Sequence, residues 1–517
     1  MTRYHFRCWL PLLVLVSTPG LLMAQMTLVG QLRTRTELRN GVGNLAPLNA
    51  PSAVFTSQRT RLTFGYKWDR MLFGTSIQDV RVWGQDASTI NAADGNRLMV
   101  HEAWADITLA NSADTTVNFR AIQNLSLKIG RQELVYDDAR LVGNLDWLQQ
   151  ARRFDAAIFK AQHYGWSLDI GGGFNQNSDA FGLVGTDYTP GNVPTSALSN
   201  KNVTLPIPTG FIPTVGKGGA PVLLNAVSTN GQNQQFKSFQ MAYLTRKFGQ
   251  TKFSALWFKD DFSKYRIDST GSASAGYVYG RQYGGVGGVN SRQTYGAMLL
   301  GTVGNASSKL GKVQWQAFAY GQTGNDRDGL TIKNAYHYGG SLMLQRGLFS
   351  TGPGYEVLSG NDATIIQAGQ TSRFDPLYGT PHRHRGYMDY FYAGTGSPTG
   401  GLQDAFWKFK YAGSRLTALF DIHAFSLANS TYNKLPDAPS GALVDPKLGM
   451  EYDFIVTYAL SKFTTVEAGY AVMDGTNSLE YTKLGTMNQR DKLGTWGYLM
   501  INIRPDFFYT KPVAIKQ

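Results

Sequence analysis

After residue 24 this chain contains no apolar run of the ~18 residues that a membrane-spanning helix requires, yet it is full of segments in which apolar and polar residues alternate. In 448–458, Leu448, Met450, Tyr452, Phe454, Val456 and Tyr458 share one face, and Gly449, Glu451, Asp453, Ile455 and Thr457 the other. In 60–68, Thr60, Leu62, Phe64, Tyr66 and Trp68 oppose Arg61, Thr63, Gly65 and Lys67. The first such segment sets Gln31, Arg33, Arg35, Glu37 and Arg39 against Leu28, Leu32, Thr34 and Leu38. These segments run to about 9 to 13 residues, the length of a tilted membrane strand.

A soluble sandwich also alternates, so the period needs support from elsewhere. The apolar faces end in Trp68, Trp166, Phe248, Tyr411 and Tyr458 beside short turns, as an interfacial aromatic girdle would. The polar faces mix charge with glycine, which fits a wet lumen and not a dry core. Only 16% of residues are charged, against roughly a quarter in ordinary soluble chains, and 58 are glycine. Very short connections alternate with long ones. The expectation is an all-β, antiparallel transmembrane barrel.

Residues 1–24 read as a signal peptide, with basic Arg3 and Arg7, an apolar stretch over 10–16 and Leu22-Met23-Ala24 before Gln25. Its removal takes the single cysteine, Cys8, and lowers the net charge from +13 to +11. An exported chain without cysteine has no disulfides, so closing the sheet on itself must satisfy the backbone. Residues 25–517 are expected to form one barrel, with long loops near 134–151, 176–235, 263–291, 361–401, 427–446 and 474–494. The tight turns at Asp69-Arg70, Tyr164-Gly165, Gly249-Gln250, Gly413 and Ser461-Lys462 should share the periplasmic side. That parity admits about 18 strands, an even number, only if the alternating segment 384–393 belongs to a loop.

Inward parity selects the candidate channel-lining residues. Arg33, Arg35, Arg39, Arg59 and Arg61 form a basic strip on the first two strands, with Arg81, Arg153, Lys408 and Lys410 elsewhere. Such charge attracts anions, and the arginine fork suits carboxylate or phosphate. Glu37, Asp79, Glu102, Asp106, Asp155, Asp404, Glu451 and Asp453 also face inward by parity, so a wall-stiffening ion-pair ladder is the competing reading. Within 131–153, Arg140 and Arg152 would face the solute if the segment folds inward. His382-Arg383-His384-Arg385 reads as a basic loop at the mouth, and its two histidines alone make a poor metal site. His101 falls on the lipid face and His423 on the lumen face. Metalloprotease, hydrolase and P-loop motifs are absent, so no catalytic residue, metal or cofactor is expected.

Residues 130–156 are the most specific part of the chain. They run Gly130-Arg131-Gln132-Glu133 through Tyr136-Asp137-Asp138-Ala139-Arg140 to Gly143, then Asp146-Trp147 and Arg152-Arg153-Phe154-Asp155-Ala156. With Tyr355–Asp362, Phe374–His382 and Leu448–Asp453, this segment resembles the alginate export family of outer-membrane barrels. The resemblance implies an 18-stranded barrel whose arginine-rich, loop-gated lumen passes an anionic polysaccharide. The chain departs from the common terminal aromatic, ending instead in Pro512–Gln517, with Phe507, Phe508 and Tyr509 just upstream. The expected function is a passive channel for anionic oligo- or polysaccharides or small anions. The alternative is a closed barrel serving as a surface adhesion or assembly scaffold. Expected partners are outer-membrane lipid, the solute and the outer-membrane assembly machinery, with no nucleic acid.

Overall fold

A computed structural model describes residues 25–84, 98–113, 122–177, 179, 188–190, 193–223, 236–391 and 397–508. Residues 1–24, the expected signal peptide, and Tyr509 lie outside these residues, as do parts of several long loops. The barrel strands are β1 (Gln25–Asn40), β2 (Ala53–Trp68), β3 (Met71–Val82), β4 (Leu98–Asn111), β5 (Asn124–Gln132) and β6 (Phe154–His163). Next come β7 (Trp166–Phe174), β8 (Ser238–Phe248), β9 (Thr251–Ser263), β10 (Val289–Gly304), β11 (Lys312–Asn325) and β12 (Thr331–Arg346). The ring is completed by β13 (Phe349–Leu358), β14 (Leu402–Ala412), β15 (Leu416–Ser426), β16 (Lys447–Ser461), β17 (Thr464–Gly475) and β18 (Leu493–Ile503).

Each strand is antiparallel to its sequence neighbour, and β1 also pairs with β18, from Leu32–Ile503 to Asn40–Thr495, closing an 18-strand barrel. Closure leaves no unpaired edge, which is what a sheet in hydrocarbon requires. The outer wall carries the expected apolar set: Leu62, Trp68, Trp257, Leu299, Leu342, Phe409, Phe454, Tyr458 and Leu499 are all exposed on the isolated chain. Residues 384–391, the described part of segment 384–393, form no strand and sit in the connection between β13 and β14. The loops are more structured than alternation alone indicates. Loop 263–291 contains a hairpin, Arg266–Ser272 with Gly276–Gln282, and loop 474–494 contains α1 (Asn477–Leu484), capped by Thr476 and ended by left-handed Gly485.

One departure from strict alternation, and charge on the outer face of two strand ends, change which residues face the lumen. Pairing of β3 with β4 slips between Ser76–Glu102 and Ile77–Val100, so His101 occupies a bulge. A bulge adds one residue and reverses the alternation beyond it. His101 and Glu102 consequently both turn inward, and His101 is buried, not lipid-facing. On β3, the unslipped register pairs Asp79 with Thr60 and Arg81 with Gln58, both neighbours of the inward Arg59. Asp79 and Arg81 are therefore on the outer wall, bound to each other at 2.6 Å. Asp155 is likewise outward, at 2.8 Å from Arg131, with Arg153 beside them. Asp79, Arg81, Arg153 and Asp155 thus do not line the channel. At these strand ends, next to the long loops, the outer wall accepts charge, so a charged residue there does not mark the lumen face.

Candidate functional site: the lumen and its inward loops

The first two strands build the basic wall as expected. Arg33 and Arg59 are register partners, with Arg35 and Arg61 at the adjacent inward positions. What alternation does not disclose is that the β5–β6 connection folds inward and lies on this wall. Arg33 donates to the carbonyls of Asp146 (2.8 Å) and Leu148 (3.0 Å) and to Gln149 Oε1 (2.9 Å). Arg35 donates to the Trp147 carbonyl (2.8 Å) and to Glu37 (2.8 Å), and its guanidinium lies 4.2 Å from the Trp147 ring centroid. Arg59 donates to Asp146 Oδ1 and to Gln31, both at 2.8 Å. Arg61 binds Gln78 (2.7 Å) and lies 3.6 Å from Glu133 and 3.9 Å from Asp146. Arg39 joins Glu37 at 2.7 Å.

The β13–β14 connection also enters the barrel and packs on the first loop. Tyr378 N–H donates to the Leu141 carbonyl (2.9 Å) and Gly143 N–H to that of Tyr378 (3.0 Å). Arg152, fully buried, donates to the carbonyls of Tyr378 and Gly379. Arg140, also buried, is bound to Glu356 and Asp138, with Phe318 under its guanidinium. Arg140 and Arg152 therefore join the loops to each other and to the wall and are not presented to solute. Burial alone would raise Asp138, but Arg140 outweighs it and holds the carboxyl below its usual range. Burial and the neighbouring Arg140 push His384 down to about 3.

The stretch of wall from β13 to β16 carries further inward acids. Glu356 binds Arg385 (2.7 Å) as well as Arg140. Asp404 holds His423 at 2.9 Å, and Lys408 reaches Asp421 at 2.6 Å, with Lys410 next on that face. Glu451 accepts the Met388 N–H (2.7 Å), and Asp453 that of Tyr387 (3.3 Å). Gly386 has φ +78°, and a Cβ there would lie 2.4 Å from the Glu451 carboxylate, so the chain passes this acid only as glycine. Between β9 and β11, Asp375 and Tyr378 dock on Arg292 (2.8 Å) and Asp260 (2.8 Å). The expected basic mouth loop is therefore an internal one: His382 stacks on Trp147 at 4.2 Å, and only Arg383 of its four residues is exposed.

On the β5–β9 side a cavity of about 550 Å³ remains, lined by Lys128, Lys160, Lys252, Tyr136, Tyr243 and Asp137 among others. Lys252 also lines a second cavity of about 640 Å³, with Lys247, Lys312 and Gln316. Lys128 lies 3.8 Å from the Trp104 ring centroid, and Asp106 faces it from β4. His101, Glu102 and Glu133 come within 4.8 Å of one another, but Glu133 already serves His101, Arg61 and Asn144. Alternation overlooks Glu356, Arg385, Asp137 and Gln78. Glu356 on β13 and Gln78 on β3 are inward strand residues that a period-2 pattern can place, whereas Arg385 and Asp137 act through loop geometry that it does not encode.

A closed 18-strand barrel with a charged interior and loops folded into it is an outer-membrane β-barrel channel of the porin type, resident in the Gram-negative outer membrane. Residues 25–171, a range that begins with β1 and ends within β7, match the alginate export family. No curated protein matches the chain in sequence. In fold it is similar to three outer-membrane porins of Pseudomonas aeruginosa. OpdQ superposes with a TM-score of 0.51 at 11% identity, over 93% of this chain and 98% of OpdQ. OccK11 (OpdR) gives 0.51 at 11%, over 94% and 96%. OpdL gives 0.51 at 11%, over 93% and 99%.

Proposed function

We propose that this channel passes anionic solutes passively, carboxylated oligo- or polysaccharides and small anions being the class its wall suits. The carrying observation is the arginine wall: Arg33, Arg35, Arg59 and Arg61 occupy adjacent inward positions on two paired strands. Guanidinium forks bind carboxylates through paired N–H donors, and a low-dielectric wall concentrates their field. Lys128, Lys160 and Lys252 line the cavity of about 550 Å³ on the β5–β9 side, balanced there by Glu133, Asp137 and Asp169. Outer-membrane lipid and the outer-membrane assembly machinery are the partners this reading requires. Residues 1–24 are proposed to be cleaved, which intact mass of the exported protein checks.

Planar-bilayer recording in a KCl gradient tests the proposal. The expected reversal potential has the sign of chloride preference, and replacing Arg33, Arg35, Arg59 and Arg61 together with Ser shifts it toward zero. Cation preference in the unaltered protein refutes it. The second reading, a closed scaffold, draws on the two loops that fill the lumen and are bound to β1, β2, β10, β13 and β16. Absence of any conductance would favour that reading.

A further inference from the structure

Three arginines converge on one carboxylate that belongs to the loop. Asp146 Oδ1 lies 2.8 Å from Arg59 and 3.9 Å from Arg61, and Oδ2 lies 3.5 Å from Arg33. Among the described residues, no other carboxylate lies within ion-pair distance of Arg33 or Arg59. The arginine side chains are 1% to 12% exposed, whereas the Asp146 side chain is 45% exposed. Asp146 therefore covers the open side of the arginine cluster, where a solute arrives.

The carboxylate is not what holds the loop in place. Backbone carbonyls of 146, 147 and 148 accept from Arg33 and Arg35, Gln149 is bound to Arg33 and Ser57, and Trp147 packs on Arg35, His382, Trp496 and Tyr498. The Asp146 side chain can turn away while these contacts persist. Arg33, Arg59 and Arg61 face two carboxylates, Asp146 and, beside Arg61 alone, Glu133, so the cluster keeps a net positive charge that an anion arriving in place of Asp146 would meet.

We propose that Asp146 is a tethered stand-in for the anionic solute: a solute carboxylate takes its place on Arg33, Arg59 and Arg61, and Asp146 sets how strongly the channel holds anions. The inference rests on the anion-channel reading and adds the residue that tunes it. A tethered competitor raises the concentration of free ligand needed to occupy the site, so removing its charge strengthens binding.

The test uses the full-length protein and sodium glucuronate as the probe, comparing Asp146→Asn and Asp146→Glu with the unaltered chain. Current block in planar bilayers is expected at an about tenfold lower glucuronate concentration in Asp146→Asn, and unchanged in Asp146→Glu. Equal or weaker block in Asp146→Asn overturns the proposal. Calorimetric binding of glucuronate to the detergent-solubilised protein gives a readout that needs no current. If no variant conducts, the channel reading fails, while tighter calorimetric binding by Asp146→Asn still supports the stand-in and equal binding overturns it. Should Asp146→Asn not fold, as judged by heat-modifiable migration on gels, Asp146→Ser takes its place with the same outcomes.

Discussion

Glu356→Gln should unseat both inward loops. The Glu356 carboxylate is 2% exposed and bound by two guanidiniums equally buried, Arg140 from the first loop and Arg385 from the second. Glutamine keeps the shape and removes the charge, leaving two buried cations with Asp138 as the remaining acid near Arg140. Breaking a buried ion pair by removing one partner costs about 3–5 kcal/mol. At ~1.36 kcal/mol per decade, the equilibrium constant for loop release rises between about a hundredfold and a few thousandfold. The assay is thiol labelling of Met388→Cys, a residue with no exposed surface, in a mature chain that otherwise lacks cysteine. When reclosing outruns labelling, the rate follows the opening equilibrium. A rate within twofold of the Glu356-containing reporter would refute the argument that this node seats the loops.

Other outcomes follow from the same geometry. His384 stays neutral in the folded loops until pH falls to about 3, whereas released it takes up a proton near 6.5. Asp138, held low by Arg140, acts with the same sign. Docking of the loops therefore weakens progressively as pH falls below about 6.5, and labelling at Met388→Cys relative to the exposed Arg383→Cys should rise across that window. Trp147→Ala removes the ring that touches His382, Trp496, Tyr498 and Arg35. Trp147 is half-buried, so its truncation costs less than the ~3–5 kcal/mol of a fully buried aromatic, and limited proteolysis should then cleave within 134–151. Replacing Asp79, Arg81, Arg131 and Asp155 with Ser should leave the reversal potential unchanged, because those side chains lie on the outer wall; a shift comparable to that of the Arg59 and Arg61 replacements would contradict their placement.

How far the sequence was legible depends on which physical constraint each residue obeys. Lipid on one side and water on the other impose period 2 on every strand, so Arg33, Arg35, Arg59, Arg61, Glu451 and Asp453 are found inward, where alternation puts them. The even strand count follows from both ends of the barrel meeting on one side. Alternation is a relative signal, however, and a single extra residue inverts it. The bulge at His101 did so on β4, and at the wide ends of β3 and β6 the outer wall accepts charge because it leaves the hydrocarbon there. The strands' apolar residues fix which face meets lipid only where hydrocarbon is present to enforce the choice.

The inward loops obey a different rule. Their arginines and acids are satisfied by partners hundreds of residues away, as Arg140 is by Glu356 and Arg152 by Tyr378. No local period records such pairing, so segment 130–156 was recognisable as special while the task of each of its charges was not. An arginine in a strand is placed by the alternation of the wall, and Arg33, Arg35 and Arg59 then satisfy loop carbonyls and Asp146; an arginine in these loops is there only because carbonyls and carboxylates must be satisfied where water is excluded. Asp146 sits on the boundary between the two cases, carried by a loop but turned to the open side of a strand cluster. That position is why its substitution should alter what the channel holds, and Arg140 or Arg152 substitutions chiefly whether the loops stay seated.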